Sequence, residues 1–251
     1  MDREILKKYI LEGKTQREIA PLMGVSKSTV GYWTQKYGFS SLTQKIKVEY
    51  KNEFLFNKID SIEAAYILGY ALADGYISER ALIFTCAFSD REILEFISSN
   101  LGGNIIDDNR IIFSQRKYPN SRLGIYNKNI ITDIIKHGSK KEDKHIPIIP
   151  KELERFLLLG FFDGDGCLTW GRRKDRNRIW QKISFTASFN LLNGIQKILE
   201  KRCQISSSIK PKGTEQCFVL EFAGKENVLK FLNFVYPKED TFIVLKRKYN
   251  K

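Results

Sequence analysis

The chain of 251 residues carries 42 Lys and Arg against 29 Asp and Glu, a formal net charge of +13, with 42% hydrophobic residues. That composition can bury a core and excludes global disorder, and the length suits one large domain or two modest ones. The longest apolar stretch, Ala64–Ala73, falls far short of the roughly 18 residues of a membrane helix, and no apolar signal core follows Met1. Four scattered cysteines and two histidines argue against a disulfide scaffold or a structural zinc. A reduced intracellular protein, neither secreted nor membrane-spanning, is the expectation, and the basic balance makes a polyanion the first partner to consider. The charge is uneven: residues 1–60 carry +4, 61–150 are neutral and 151–251 carry +9.

The first 38 residues read as three short helices. Ile5, Leu6, Tyr9 and Ile10 recur at helical spacing and predict a helix over about 3–12. Thr15-Gln16-Arg17-Glu18 has the capping-box pattern of a second helix. Pro21 sits inside it and must shorten or kink it. A turn at Gly24 and an N-cap at Ser26 open a third helix, reaching about Tyr37, with Val30 and Trp33 inward. Gln16–Ala20, Gly24-Val25-Ser26 and Ser28-Thr29-Val30 together resemble a helix-turn-helix DNA-binding unit. The resemblance implies that Ser26, Lys27, Ser28, Thr29, Tyr32 and Lys36 face the major groove. The same three-helix shape also serves as a plain bundle. Residues 39–60, with spaced lysines and acids, read as a linker.

From residue 61 the chain contains itself twice. Ile67-Leu68-Gly69-Tyr70-Ala71-Leu72-Ala73-Asp74-Gly75 matches Leu158-Leu159-Gly160-Phe161-Phe162-Asp163-Gly164-Asp165-Gly166. Phe84–Ser89 then echoes Phe185–Asn190, with about ten more residues before it in the second copy. Each copy reads as αββαββα, over 61–150 and 151–251: an α+β fold whose antiparallel sheets have one face under helices and one free. Gly69 with Ala73, and Gly160 with Gly164, put small residues on one helical face at i, i+4, so that the two helices can pack backbone to backbone. Asp74 and Asp165 then meet at helix C-termini, where the dipole disfavours a carboxylate and each repels the other. Cations between them would relieve this. Oxygen donors suit hard divalent ions such as Mg²⁺, which can activate water and stabilise a leaving oxygen in phosphodiester hydrolysis.

These paired motifs resemble those of the LAGLIDADG homing endonucleases in their single-chain, two-motif form. Gly69, Ala73, Asp74 and Gly75 match in the first copy; Leu158, Gly160, Asp163, Asp165 and Gly166 match in the second. The resemblance spans about 61–251, with the helix-turn-helix unit as an addition. It implies a monomer with pseudo-two-fold symmetry and saddle-shaped sheets over a long, asymmetric double-stranded DNA site. It also implies Mg²⁺, or Mn²⁺ or Ca²⁺ in its place, at Asp74 and Asp165 with Gly75 and Gly166 beside them. Both strands would be cut to leave 3′ overhangs, in the service of intron or intein mobility. Leu72, at the position that Asp163 fills in the other copy, falls where the family's residue is usually structural.

Basic residues complete the reading. Trp170–Lys182 holds Arg172, Arg173, Lys174, Arg176, Arg178 and Lys182 against Asp175 alone, a hairpin suited to enter a groove. Arg116 and Lys117 in the first copy, and Lys210 and Lys212 in the second, are candidates for the same role. Lys128 and Lys225 follow the last strand of each copy and are candidates to stabilise charge at the scissile phosphate, or else plain surface lysines at helix starts. Lys246-Arg247-Lys248 reads as a phosphate contact or simply exposed. Two other functions use such a scaffold: a DNA-binding regulator that has lost cleavage, and an RNA-splicing maturase.

Overall fold

The structure, a computed structural model, describes residues 1–39, 49–108, 112–113, 116–117, 119–139, 144–173, 178–236, 242 and 244–249. They fall into two compact units, Met1–Val48 and Glu49–Lys251. The first unit holds α1 (Arg3–Leu11), α2 (Gln16–Leu22) and α3 (Lys27–Lys36). Each helix starts at a side-chain cap. Asp2 accepts from the amides of Glu4 and Ile5, Thr15 and Glu18 form the reciprocal box, and Ser26 accepts from the amide of Thr29. With Pro21 inside it, α2 spans seven residues. Leu6, Ile10, Ile19, Ala20, Val30 and Phe39 form the core of this unit.

In the second unit the same element order occurs twice. The first half comprises α4 (Ile62–Asp74), β1 (Tyr76–Ser78), β2 (Ala81–Ala87), α5 (Arg91–Leu101), β3 (Ile105–Asp108), the short β4 (Ile112–Phe113) and β5 (Arg116–Lys117), β6 (Asn120–Ile125) and α6 (Lys128–Ile134). The second half comprises α7 (Glu154–Asp165), β7 (Gly166–Arg173), β8 (Arg178–Ala187), α8 (Phe189–Ile198), β9 (Ser208–Lys212), β10 (Thr214–Ala223) and α9 (Lys225–Val235). A last turn, α10 (Lys246–Tyr249), follows. The sheets run β1-β2-β6-β3 and β7-β8-β10-β9, antiparallel throughout and identical in order. Phe84 and Phe185, 101 residues apart, are both fully buried and stand opposite Leu123 and Leu220. The extra residues of the second copy lengthen β7 and β8, which have eight and ten residues where β1 and β2 have three and seven. One core cluster runs through both halves.

The expected boundaries differ in two places. Residues 49–60 do not stand apart as a tether: Phe56 and Ile59 are in the core, and the amide of Lys51 donates to Leu101 O. Residue spacing hid this, because two apolar anchors between charged residues have no periodicity to read. The C-terminal segment, expected within the second half, returns to the first. Phe242 packs edge-on against Tyr66 and Phe96, the Lys246 amide donates to Glu92, and Arg247 makes a paired contact with Asp90. Residues 40–48 lie outside the described residues.

Candidate active site and nucleic-acid face

α4 and α7 pack with almost no space between their backbones. A Cβ on Gly69 would fall 2.0 Å from Leu157 O, and one on Gly160 would fall 2.0 Å from Tyr66 O. These contacts are images of each other under the 91-residue offset between Asp74 and Asp165. Ala73 meets its own image: a Cβ on Gly164 would lie 2.6 Å from Ala73 Cβ and 3.4 Å from Asp74 Oδ2. The two helix ends therefore converge, and they bring Asp74 and Asp165 together.

The electrostatics of the pair follow from that convergence. Burial, and then the Asp74 charge, push the Asp165 carboxyl up to about 6. Burial also raises Asp74, against the pull of Lys248, the Tyr70 hydroxyl and Lys144. Beside Asp165 is a cavity of about 200 Å³ whose lining includes Ala73, Lys144, Ser188 and Asn190. Ser188 Oγ is buried without a hydrogen-bond partner.

The lysines at this site are not the two expected. Lys128 and Lys225 are exposed first residues of α6 and α9, and the ammoniums that act on the two carboxylates are Lys144, Lys248 and, for Asp165, Lys212. Lys144 Nζ donates to Leu72 O at 3.2 Å, and Lys248 Nζ donates to Asp163 O at 2.8 Å. Those carbonyls occupy equivalent positions in the two motifs. Lys248 is 8% exposed and donates also to Phe162 O and, at 2.7 Å, to Gly166 O. It caps the C-terminal end of α7, where unpaired carbonyls carry partial negative charge. Burial lowers its pKa to about 8 and lowers that of Lys144 as well. The expectation of an exposed Lys248 is thus corrected. A Cβ on Gly75 would fall 2.4 Å from Ala71 O, so only glycine fits this close approach to the end of α4. Both lysines lie beyond the last helix of their half, outside the repeated elements, so the repeat gave no way to align them.

Asp163 is 4% exposed and accepts from Tyr66 OH at 2.7 Å and Tyr236 OH at 3.4 Å. Burial pushes it up to about 7. Leu72, its image, is buried among apolar side chains.

The sheet faces sort the other candidates. In the second sheet Ile183, Phe185, Leu220 and Phe222 are buried under the helices, so alternate residues form the open face. Register puts Trp180, Lys182, Glu221 and Lys210 there; Lys182 Nζ pairs with Glu221 at 2.6 Å, and Lys212 Nζ donates to Thr186 Oγ1 at 3.1 Å. Arg172 is exposed and by register shares the strand face of Leu168 and Trp170. Arg173 stands opposite Arg178 at the end of this hairpin, and Arg116 and Lys117 form β5; Lys174 and Arg176 lie outside the described residues. On α3, Lys27, Ser28, Tyr32 and Lys36 are exposed. The Ser26 hydroxyl bonds those of Ser28 and Thr29 at 2.7 and 2.8 Å, and Lys36 lies over the Tyr32 and Trp33 rings.

Two equal halves joined by glycine-packed helices, each ending in an aspartate, have a counterpart among known families. Residues 152–235 match the LAGLIDADG-like domain. No curated protein matches the sequence. Among solved structures, the homing endonuclease I-WcaI bound to its DNA recognition sequence has a TM-score of 0.51 at 14% identity, covering 76% of this chain and 87% of that one. The I-LtrWI LAGLIDADG homing endonuclease bound to target DNA has a TM-score of 0.50 at 13% identity, covering 75% and 87%. The N-terminal LAGLIDADG domain of WhiA has a TM-score of 0.43 at 16% identity, covering 74% and 90%. The fold is therefore the LAGLIDADG endonuclease fold, and at these identities the likeness speaks for fold alone. Among the described residues, no helix is long and apolar enough to cross a membrane.

Among the described residues no group of three or more His, Cys, Asp or Glu could hold a metal. The carboxylate pair of Asp74 and Asp165 still fits a hard divalent ion. Mg²⁺ takes one or two carboxylates and fills its remaining positions with water and phosphate oxygens. The polar cavity with the orphan Ser188 hydroxyl has room for such waters.

Proposed function

We propose that this chain is a site-specific endonuclease that cuts both strands of double-stranded DNA with divalent metal held by Asp74 and Asp165. The single observation that carries this reading is the convergence of those two carboxylates at the packed ends of α4 and α7, where the Asp74 charge helps to raise Asp165. When bound there, a divalent ion would activate water and stabilise the leaving oxygen of a phosphodiester. The chain's own residues do the rest. Gly69, Gly160, Ala73 and Gly164 fix the spacing of the carboxylates. Lys248 and Lys144 pin the carbonyls two residues before each aspartate and counter part of the anionic charge. Lys182, Lys210 and Lys212 on the open face offer contacts to the DNA backbone. The three-helix unit, with Lys27, Tyr32 and Lys36 exposed on α3, would extend the contacted site as a helix-turn-helix module and add affinity through effective concentration. Products with 3′ overhangs and a monomeric enzyme belong to the same reading.

The test is cleavage of a randomised duplex library with Mg²⁺, run beside Asp165→Asn. Enriched ends with a shared motif, seen only for the unmutated protein, are the expected result. Retention of selected duplexes without cutting by either form would instead make the protein a DNA-binding regulator, and no selection at all would remove DNA as the partner.

A further inference from the structure

The open face of the first sheet is unlike that of the second. Leu82, Phe84, Leu123 and Ile125 are fully buried, so Tyr76, Ile83, Thr85, Arg122 and Ile106 alternate onto the open side. Tyr76 is 64% exposed, Ile106 62% and Tyr126 59%. Tyr126 folds over Gly124, where a Cβ would fall 2.8 Å from its hydroxyl oxygen. Arg122, opposite Thr85 and Ile106, brings a positive charge to this face. Large apolar groups gathered on an exposed face mark a surface that is covered in use. This one starts at Tyr76, two residues past Asp74, so it continues directly from the carboxylate pair. The Arg122 guanidinium gives it a positive group, the sign that suits a polyanion.

Resting on the DNA-cleaving reading above, we propose that this face reads its half of the DNA site through thymine methyl groups. In the major groove the thymine C5-methyl is the one methyl group on a base edge, and the purine edges and cytosine N4 offer mainly hydrogen-bond donors and acceptors. Tyr76, Ile106 and Tyr126 can cover methyls without leaving polar groups unpaired, whereas G·C edges set against them would lose their water partners unanswered. Arg122, in the middle of this face, supplies one polar contact to a guanine edge or a phosphate. The half-site under the first half is therefore rich in thymines, while the half-site under the Lys182, Lys210 and Lys212 face is not so constrained.

Replacing thymidine by deoxyuridine removes only the methyl and tests this directly. In a site selected from the library, each replacement under the first half should weaken binding about threefold, and three together roughly thirtyfold. Replacements under the second half should change it less than about twofold. Ile106→Ser and Tyr76→Ser should abolish the difference between thymidine and deoxyuridine at one position each, which also assigns half-site to half. A selected site whose two half-sites respond alike to deoxyuridine, or not at all, overturns the inference and leaves the endonuclease reading standing. A protein that selects no sequence overturns both.

Discussion

The two sheets of the second unit share strand order and direction, yet their open faces differ: one is apolar around Arg122, the other carries Lys182, Lys210 and Lys212. The motif helices show where duplication tolerates divergence. Gly69 and Gly160 keep the same role because any side chain would strike the backbone of the partner helix. Leu72 and Asp163 differ because that position sits in the packed interior, where methyl groups or a hydrogen-bonded carboxyl can each be accommodated. The open faces are not packed under the helices of this unit, so the core does not hold them alike, and their chemistry is free to follow the ligand.

The largest effect should be the same in both halves. Asp74→Asn and Asp165→Asn should each lower cleavage by about a thousandfold, the loss of several kcal/mol of transition-state stabilisation. DNA affinity without metal should stay within roughly twofold. If one variant still cuts both strands, the two carboxylates do not act as a pair.

Asp163→Asn probes the asymmetry between the motifs. With a folded pKa of about 7, above the ordinary value of about 3.9, the folded state binds its proton more tightly than the unfolded state. The stability this supplies is fully present below about pH 4 and is lost as the pH rises toward 7. At pH 8, thermal melting in chelator should find the Asn variant more stable by roughly 3 kcal/mol, with the gap closing toward pH 4. A gap independent of pH would show that the carboxyl is not held neutral.

Lys144→Met should cost about tenfold to a hundredfold in single-turnover cleavage, and Lys128→Met or Lys225→Met should cost less than about twofold. Equal losses in all three would mean that Lys144 has no special part beside the carboxylates. The smallest effect separates the open faces. Each of Lys182→Ala, Lys210→Ala and Lys212→Ala should lower the salt slope of DNA binding by about 0.9, and Tyr76→Ala should leave that slope alone. Equal slopes in all four variants would erase the proposed division between the faces.

The repeat, the motif glycines and the caps were legible because they are local. A capping box, an i, i+4 pair of small residues or a strand that alternates buried and exposed positions requires only neighbours in sequence. From these the αββαββα halves, the packed helix pair and the meeting of Asp74 with Asp165 follow. What the chain order hid was every contact made across a long separation. Lys144 and Lys248 reach the site from beyond the repeated elements, and Phe242 and Arg247 return to the first half from the end of the second. Sequence by itself determined which residues pair up under the internal symmetry. The tertiary structure alone decided which cations stand beside the carboxylates, because a charge acts through space and its neighbours in space need not be its neighbours along the chain.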